Sequence, residues 1–285
     1  CVEEDGAFYL DLRDKNIAGR NQKFFFTRNN GLSLYTTRDI AYHLNKFERF
    51  PKALNILGED HKLQSNLLNI ALEELKSSKP DNLFYSFVNL PGGKMSTRAG
   101  RVVYLDDMME KIVEASFERL KEVDMSQEQK HLLSEKIGIG SLRYNILKVQ
   151  PEKGFTFNID DALSIQGDSA PFAMYSHARM SSILRKYGKD LPNIELETNL
   201  VESEINLIRI MVKWPQVVES SANKLAIHII PNYIHQLSSQ FNNFYRDCKV
   251  IDDINESFRI NLVHSSRRIL FDALDIMGIE APETM

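Results

Sequence analysis

The sequence predicts a partial α/β domain followed by an all-α helical bundle, and three observations predict it. Short apolar runs alternate with amphipathic helical patterns as far as Leu105, and a glycine-flanked basic loop, Pro91 to Gly100, interrupts them. Beyond Leu105 the apolar segments are long and helically periodic. Ala7 to Leu12 and Gln22 to Arg28, with Phe24, Phe25 and Phe26, read as strands, and Asn30-Gly31 as a hairpin turn before Leu32 to Tyr35. Thr37 is placed to cap a helix in which Ile40, Leu44 and Phe47 recur at helical spacing. Ala53 to Leu57 is the next strand, Asp60 to Leu75 the next amphipathic helix, and Leu83 to Leu90 a further buried strand. Such alternation implies a largely parallel sheet with ligands at its strand ends.

The helical half comprises Asp106 to Val123, Gln127 to Val149, Ala170 to Tyr187, Val201 to Met211, Lys224 to Cys248 and Glu256 to Met277. Gly154 to Ser169 reads as a hinge or loop and Asp190 to Asn199 as a connector. The divisions expected are therefore 1–105 for the α/β part, 106–153 for a helical connector and 154–285 for the bundle.

Composition sets limits on function. A chain of 285 residues, 43% hydrophobic, can bury one large core or two ordinary ones, at about 100–200 residues per domain. Charged residues make up 26%, and no apolar run approaches the roughly 18 residues of a membrane span, so membrane-spanning and disordered classes are excluded. Cys1 and Cys248 lie at opposite ends without metal-site spacing; they support neither a disulfide framework nor a thiolate zinc site, and no metal ligand set is expected. A cytoplasmic setting is expected. The balance 35 − 39 = −4 gives no global basic signal and leaves RNA binding undecided. The chain opens on Cys1 and runs straight into strand-like sequence, from which a missing N-terminal portion is expected.

Pro91-Gly92-Gly93-Lys94-Met95-Ser96-Thr97-Arg98-Ala99-Gly100 carries the chemistry. Its glycines let the backbone approach an anion, Lys94 and Arg98 supply charge, and Ser96 adds a hydroxyl, a set suited to polyphosphate. Taken alone, a solvated basic turn explains the same residues.

The string KMSTR resembles the KMSKS loop of class I aminoacyl-tRNA synthetases, in the form seen in the arginyl enzymes, with Thr97 at the position of the second lysine. Ser33 to Tyr42 is similar to that family's Y-x-T-R-D segment, Asn55 to His61 to its next strand end, and Gly100 to Asp106 to the sequence after the loop. Ala162-Leu163-Ser164, Ala170-Pro171-Phe172, Tyr175 to Arg179, His235 to Ser239 and Gly278 to Met285 resemble its anticodon-binding bundle. The resemblance implies a partial Rossmann-like fold, the second half of the class I catalytic domain, followed by that bundle.

It implies, too, an enzyme that joins arginine to tRNA(Arg) through an arginyl-adenylate, with ATP and Mg2+ as substrate and no tightly bound cofactor. Lys94, Ser96 and Arg98 would be catalytic. A guanidinium substrate needs a carboxylate and an adjacent ring, which Asp39 and Tyr35 supply; otherwise Asp39 is a first-turn acid favoured by the helix dipole and Tyr35 a core aromatic. His61 stands where the family commonly has glutamine, and joins the substrate-binding set. For tRNA the resemblance points to Phe172, Tyr175, Phe241, Tyr245 and Met285, while Arg179, Arg185 and Lys186 on the same expected helix are placed to meet phosphates; phenylalanines replace expected tyrosines at 172 and 241. Aromatics at helical spacing are also what a bundle core uses. No HIGH-type sequence is present: His228-Ile229-Ile230-Pro231 lies inside an expected helix. The missing N-terminal half of the same enzyme is thus a partner, and this chain alone is expected to be inactive. A non-catalytic RNA-binding or scaffolding relative and an unrelated ATP-dependent ligase or nucleotidyltransferase are the alternatives.

Overall fold

The computed structural model describes residues 1–15, 22–91, 103–193 and 199–285. The chain divides into two compact units, Cys1–Phe87 and Val88–Met285.

In the first unit, β1 (Val2–Glu4), β2 (Ala7–Asp11) and β3 (Lys23–Phe25) form an antiparallel meander, with Glu4 opposite Ala7 and Tyr9 opposite both Val2 and Phe25. Asp5 and Gly6 both have positive φ, the geometry of a two-residue hairpin turn. A side chain at Gly6 would also lie 2.5 Å from the Asn29 carbonyl oxygen, so glycine is required twice over. Asn30-Gly31 turns as expected, Arg28 N donating to Leu32 O, but Leu32 to Tyr35 does not continue as a strand. Helix α1 (Tyr35–Arg49) begins there, two residues before the cap expected at Thr37. The Thr37 hydroxyl donates instead to Phe26 O, and Thr36 to Phe25 O at 2.8 Å, tying the helix to the strand below it.

Strand β4 (Leu54–Gly58), a short 3-10 turn (Glu59–His61), α2 (Lys62–Glu74) and β5 (Asp81–Tyr85) make a strand–helix–strand unit, with Leu54 opposite Asp81 in parallel register. The core under α1 and α2 is Leu12, Phe24, Ile40, Leu68, Ala71 and Leu72, with Leu44 and Phe47 beside it. Among the described residues, parallel pairing in this unit is between β4 and β5.

The second unit opens with β6 (Val88–Asn89), so the strand expected over Leu83 to Leu90 is two strands in separate sheets. Helices α3 (Leu105–Arg119) and α4 (Gln127–Leu147) follow, the latter held at its start by a capping box of Ser126 and Gln129. Next come β7 (Phe155–Thr156), parallel to β6, and α5 (Ile159–Ala162), where a loop is expected from the sequence. The bundle proper is α6 (Ala170–Tyr187), α7 (Glu202–Met211), α8 (Trp214–Asn223), α9 (Ile229–Asp247) and α10 (Glu256–Ile276). Helix α8 occupies a stretch to which the sequence assigns no element, and Leu225, with φ of 51°, separates it from α9. Helix α9 packs against α6, α7, α8 and α10, burying Ile230, Ile234, Leu237, Phe241 and Phe244. Among the described residues no helix is long and apolar enough to cross a membrane.

Helices α3 and α4 approach closely at Gly138, where a Cβ would lie 3.0 Å from the Val113 Cα and 3.1 Å from the Ile112 carbonyl oxygen. Backbone atoms cannot rotate away as a side chain would. Gly138→Val is expected to destabilise the protein by about 1–3 kcal/mol through overpacking, read as a lower urea midpoint at unchanged slope.

Candidate functional site

Tyr35 and Asp39 lie one turn apart on α1 and so share a helix face. Tyr35 is 87% exposed and is no core aromatic. Asp39 stands beyond the first turn, where no acidic residue occurs, so the helix dipole does not account for it. Its side chain is 38% exposed, with Oδ1 3.2 Å from Nδ1 of the buried His43. A solvent-facing ring beside a half-open carboxylate suits a planar cation.

His61 belongs to another element, the turn that follows Gly58 at the end of β4, and its Nε2 is 3.8 Å from the Asp60 carboxylate. The neighbouring Glu59 accepts a hydrogen bond from the Ser86 hydroxyl at 3.0 Å, linking the ends of β4 and β5. Lys94, Ser96 and Arg98 lie outside the described residues.

Two exposed rings of the bundle, Tyr175 and Tyr245, gather around one arginine. The Arg179 guanidinium lies over two tyrosines, 4.6 Å from the Tyr175 ring centre and 4.9 Å from that of Tyr245. It also donates to Asn242 Oδ1 at 2.9 Å and to the Tyr175 hydroxyl at 3.0 Å, while Asn242 Nδ2 donates to Ser176 Oγ at 3.2 Å. Helices α6 and α9 are thus joined across one polar and aromatic surface. Asn242 escapes the sequence reading because an amide beside Phe241 carries no signal until α9 is set against α6. Phe172 packs half-buried against the His235 ring at 5.6 Å.

Phe241 corrects the sequence expectation: it is 0% exposed, and its ring backs Tyr245 from inside the core instead of facing a ligand. Met285 lies partly buried against the bundle core. Arg185, expected near phosphates, donates to the Glu283 carbonyl at 2.9 Å.

That last contact is one of several holding residues 278–285 down. Arg143 donates to Gly278 O, Lys136 pairs with Glu280 at 2.8 Å, and Arg267 pairs with Glu283 at 2.9 Å. The buried His177 donates from Nδ1 to Pro282 O at 3.0 Å, leaving Nε2 as an enclosed acceptor without a partner among the described residues. Among the described residues no three His, Cys, Asp or Glu converge as a metal site.

With this geometry in place, two family models match the chain in order: tRNA synthetases class I (R), catalytic domain, over residues 1–159, and DALR anticodon binding domain over residues 173–285. The chain is 38% identical over 299 residues to arginine–tRNA ligase of Haloarcula marismortui and 40% over 293 residues to that of Methanocella arvoryzae, with all of this chain aligned in both cases. It spans about half the length of these curated relatives, 50% and 51%. In fold it is similar to the Thermus thermophilus arginyl-tRNA synthetase, with a TM-score of 0.87 and 24% identity over 98% of this chain and 54% of that one. The fold is that of a class I aminoacyl-tRNA synthetase: part of the Rossmann-like catalytic domain, then a helical anticodon-binding domain. Within that class the chain belongs to the arginyl-tRNA synthetase family.

Burial pushes the His177 imidazole below its ordinary value. The unfolded chain takes up a proton near pH 6.5 that the folded chain resists, so stability is full above that pH and falls as pH drops below it. His177→Asn, which retains a donor near Nδ1, is expected to flatten that acid limb in urea titrations between about pH 7 and 5.

Proposed function

We propose that this chain forms part of an arginine–tRNA ligase, contributing half of the arginine and ATP site together with the anticodon-reading bundle. The observation that carries the reading is the order of two matched domains on one chain, catalytic and then anticodon-binding. The exposed Tyr35 and half-open Asp39 support it in the first, and the ring-clamped Arg179 in the second. Since the chain spans about half the length of the relatives it matches, ligation is proposed for a protein that also carries the other half, and inactivity for this chain alone. We take 1–105 as the catalytic part, 106–153 as connector and 154–285 as the anticodon-binding part, acting in the cytoplasm.

In the first step the arginine carboxylate attacks the α-phosphorus of ATP and pyrophosphate leaves, giving arginyl-adenylate. In the second a terminal ribose hydroxyl of tRNA(Arg) attacks the acyl carbon and AMP leaves. Asp39 would meet the guanidinium bidentately with Tyr35 beside it, and His61 would border the same substrate. Lys94, Ser96 and Arg98 would face the phosphates, where charge develops. Mg2+ would enter with the nucleotide, because it is held chiefly by phosphate oxygens and water. Phe172, Tyr175 and Tyr245 would stack on unpaired anticodon bases, with Arg179 fixed between its rings and Met285 at the margin.

Two measurements test this. The chain is expected to bind a tRNA with an arginine anticodon more tightly than the same tRNA with that anticodon replaced, at both low and high salt, and Arg179→Ala is expected to remove that preference. Equal, salt-sensitive binding of both tRNAs would mean phosphate contacts only, as in a scaffolding relative. In the full-length protein, Asp39→Ala is expected to raise KM for arginine by roughly a hundredfold while leaving KM for ATP nearly unchanged.

A further inference from the structure

Asp39 is joined to the sheet by a partly buried polar relay. His43, one turn later on α1, is 3% exposed, and its Nδ1 lies 2.8 Å from the Asp39 carbonyl oxygen and 3.2 Å from carboxylate Oδ1. Both are acceptors, so Nδ1 carries the proton. Nε2 then accepts from Asn55 Nδ2 on β4 at 3.0 Å. The same amide nitrogen reaches Asn82 Oδ1 on β5 at 3.3 Å, and Lys46 Nζ donates to Asn55 Oδ1 at 3.3 Å, which fixes the way the amide faces. Asn82 Nδ2 in turn donates to Pro80 O at 3.3 Å. The Tyr42 ring stands edge-on to the imidazole at 5.5 Å. The imidazole is therefore held in one tautomer and one orientation by two strands and its own helix.

A histidine that served packing alone would be satisfied by Asn55 and the Asp39 carbonyl. The approach to the carboxylate is additional, and it comes from the enclosed side while the other side of Asp39 stays open. The Nδ1 proton is taken by the Asp39 carbonyl oxygen, so the imidazole meets Oδ1 as a 3.2 Å contact that limits rotation of the carboxylate and leaves its lone-pair sites for a forked donor. We infer that His43 is a positioning residue for the amino-acid substrate: it presets the Asp39 carboxylate for a guanidinium, so that less ordering is needed when arginine binds. This rests on the assignment of Asp39 to that cation.

The test is aminoacylation by the full-length protein, with arginine and ATP varied separately, for His43→Asn, His43→Gln and Asp39→Ala. An asparagine amide nitrogen falls near the Nδ1 position, whereas glutamine reaches toward Nε2, so only the first keeps the donor to Asp39 while both keep a polar group in the relay. His43→Gln is expected to raise KM for arginine about tenfold, through loss of the hydrogen bond that seats the imidazole against Asp39, with kcat and KM for ATP little changed. His43→Asn is expected to stay within about threefold of wild type. Equal arginine effects from the two variants, or arginine and ATP constants moving together, would show a merely structural histidine and overturn the inference. If Asp39→Ala itself leaves KM for arginine unchanged, the underlying assignment fails; if it raises KM while His43→Gln does not, the positioning role alone fails.

Discussion

The helical unit depends on the enclosure of α9. Ile230, Ile234, Leu237, Phe241 and Phe244 are each at most 1% exposed, and α6, α7, α8 and α10 all pack around them. Each such side chain contributes roughly 1.5–3 kcal/mol by leaving water, so the helix cannot rotate about its axis without exposing part of that stripe. This fixes the azimuth of the residues that are not in the stripe. Asn242 follows Phe241 and Tyr245 follows Phe244, so the core that buries the phenylalanines also aims the amide and the phenol toward Arg179 on α6. The surface proposed for RNA is thus a by-product of how the core is packed, and Phe241 backs it from the inside.

Much of this was legible in the chain. Ala170 to Tyr187 is helical to the residue, and Ile40, Leu44 and Phe47 do line the face turned to the core. These elements have strong periodicity and local stop signals such as Gly188, which ends α6 in the left-handed conformation. The misreadings have equally local causes. Thr37 looks like a cap, but its hydroxyl is claimed by a strand carbonyl, a tertiary contact that no propensity records. Asp5-Gly6 is a hairpin signal that the sequence carries and that reveals β1 once it is used. Leu83 to Leu90 is one apolar run shared between two sheets, and apolarity alone cannot show where a strand changes partner.

For the site, residue identity could be read from sequence and geometry could not. Tyr35 and Asp39 stand out through a family pattern, whereas His43 differs in no way from a packing histidine until Asn55 and Asn82 are brought beneath it. The rings show the same limit, since Phe241 and Tyr245 lie four apart on one face of α9, and only the helices packed around them make the first buried and the second exposed.

Charge shows why the bundle would read bases instead of merely holding phosphates. The chain carries a net charge of −4, and several cations of the helical unit are engaged internally: Arg185 and Arg267 hold Glu283, Lys136 holds Glu280, and Arg143 holds Gly278. Arg179, too, is committed, lying over the Tyr175 and Tyr245 rings and donating to Asn242 and the Tyr175 hydroxyl. Counterion release scales with the number of phosphates neutralised, so each cation committed internally is one fewer for that gain. Stacking works differently, because it requires bases already out of the helical stack and is insensitive to salt by comparison. If the exposed rings of α6 and α9 do stack on bases, as proposed, they would favour an unpaired loop over duplex RNA, whose bases offer no free faces.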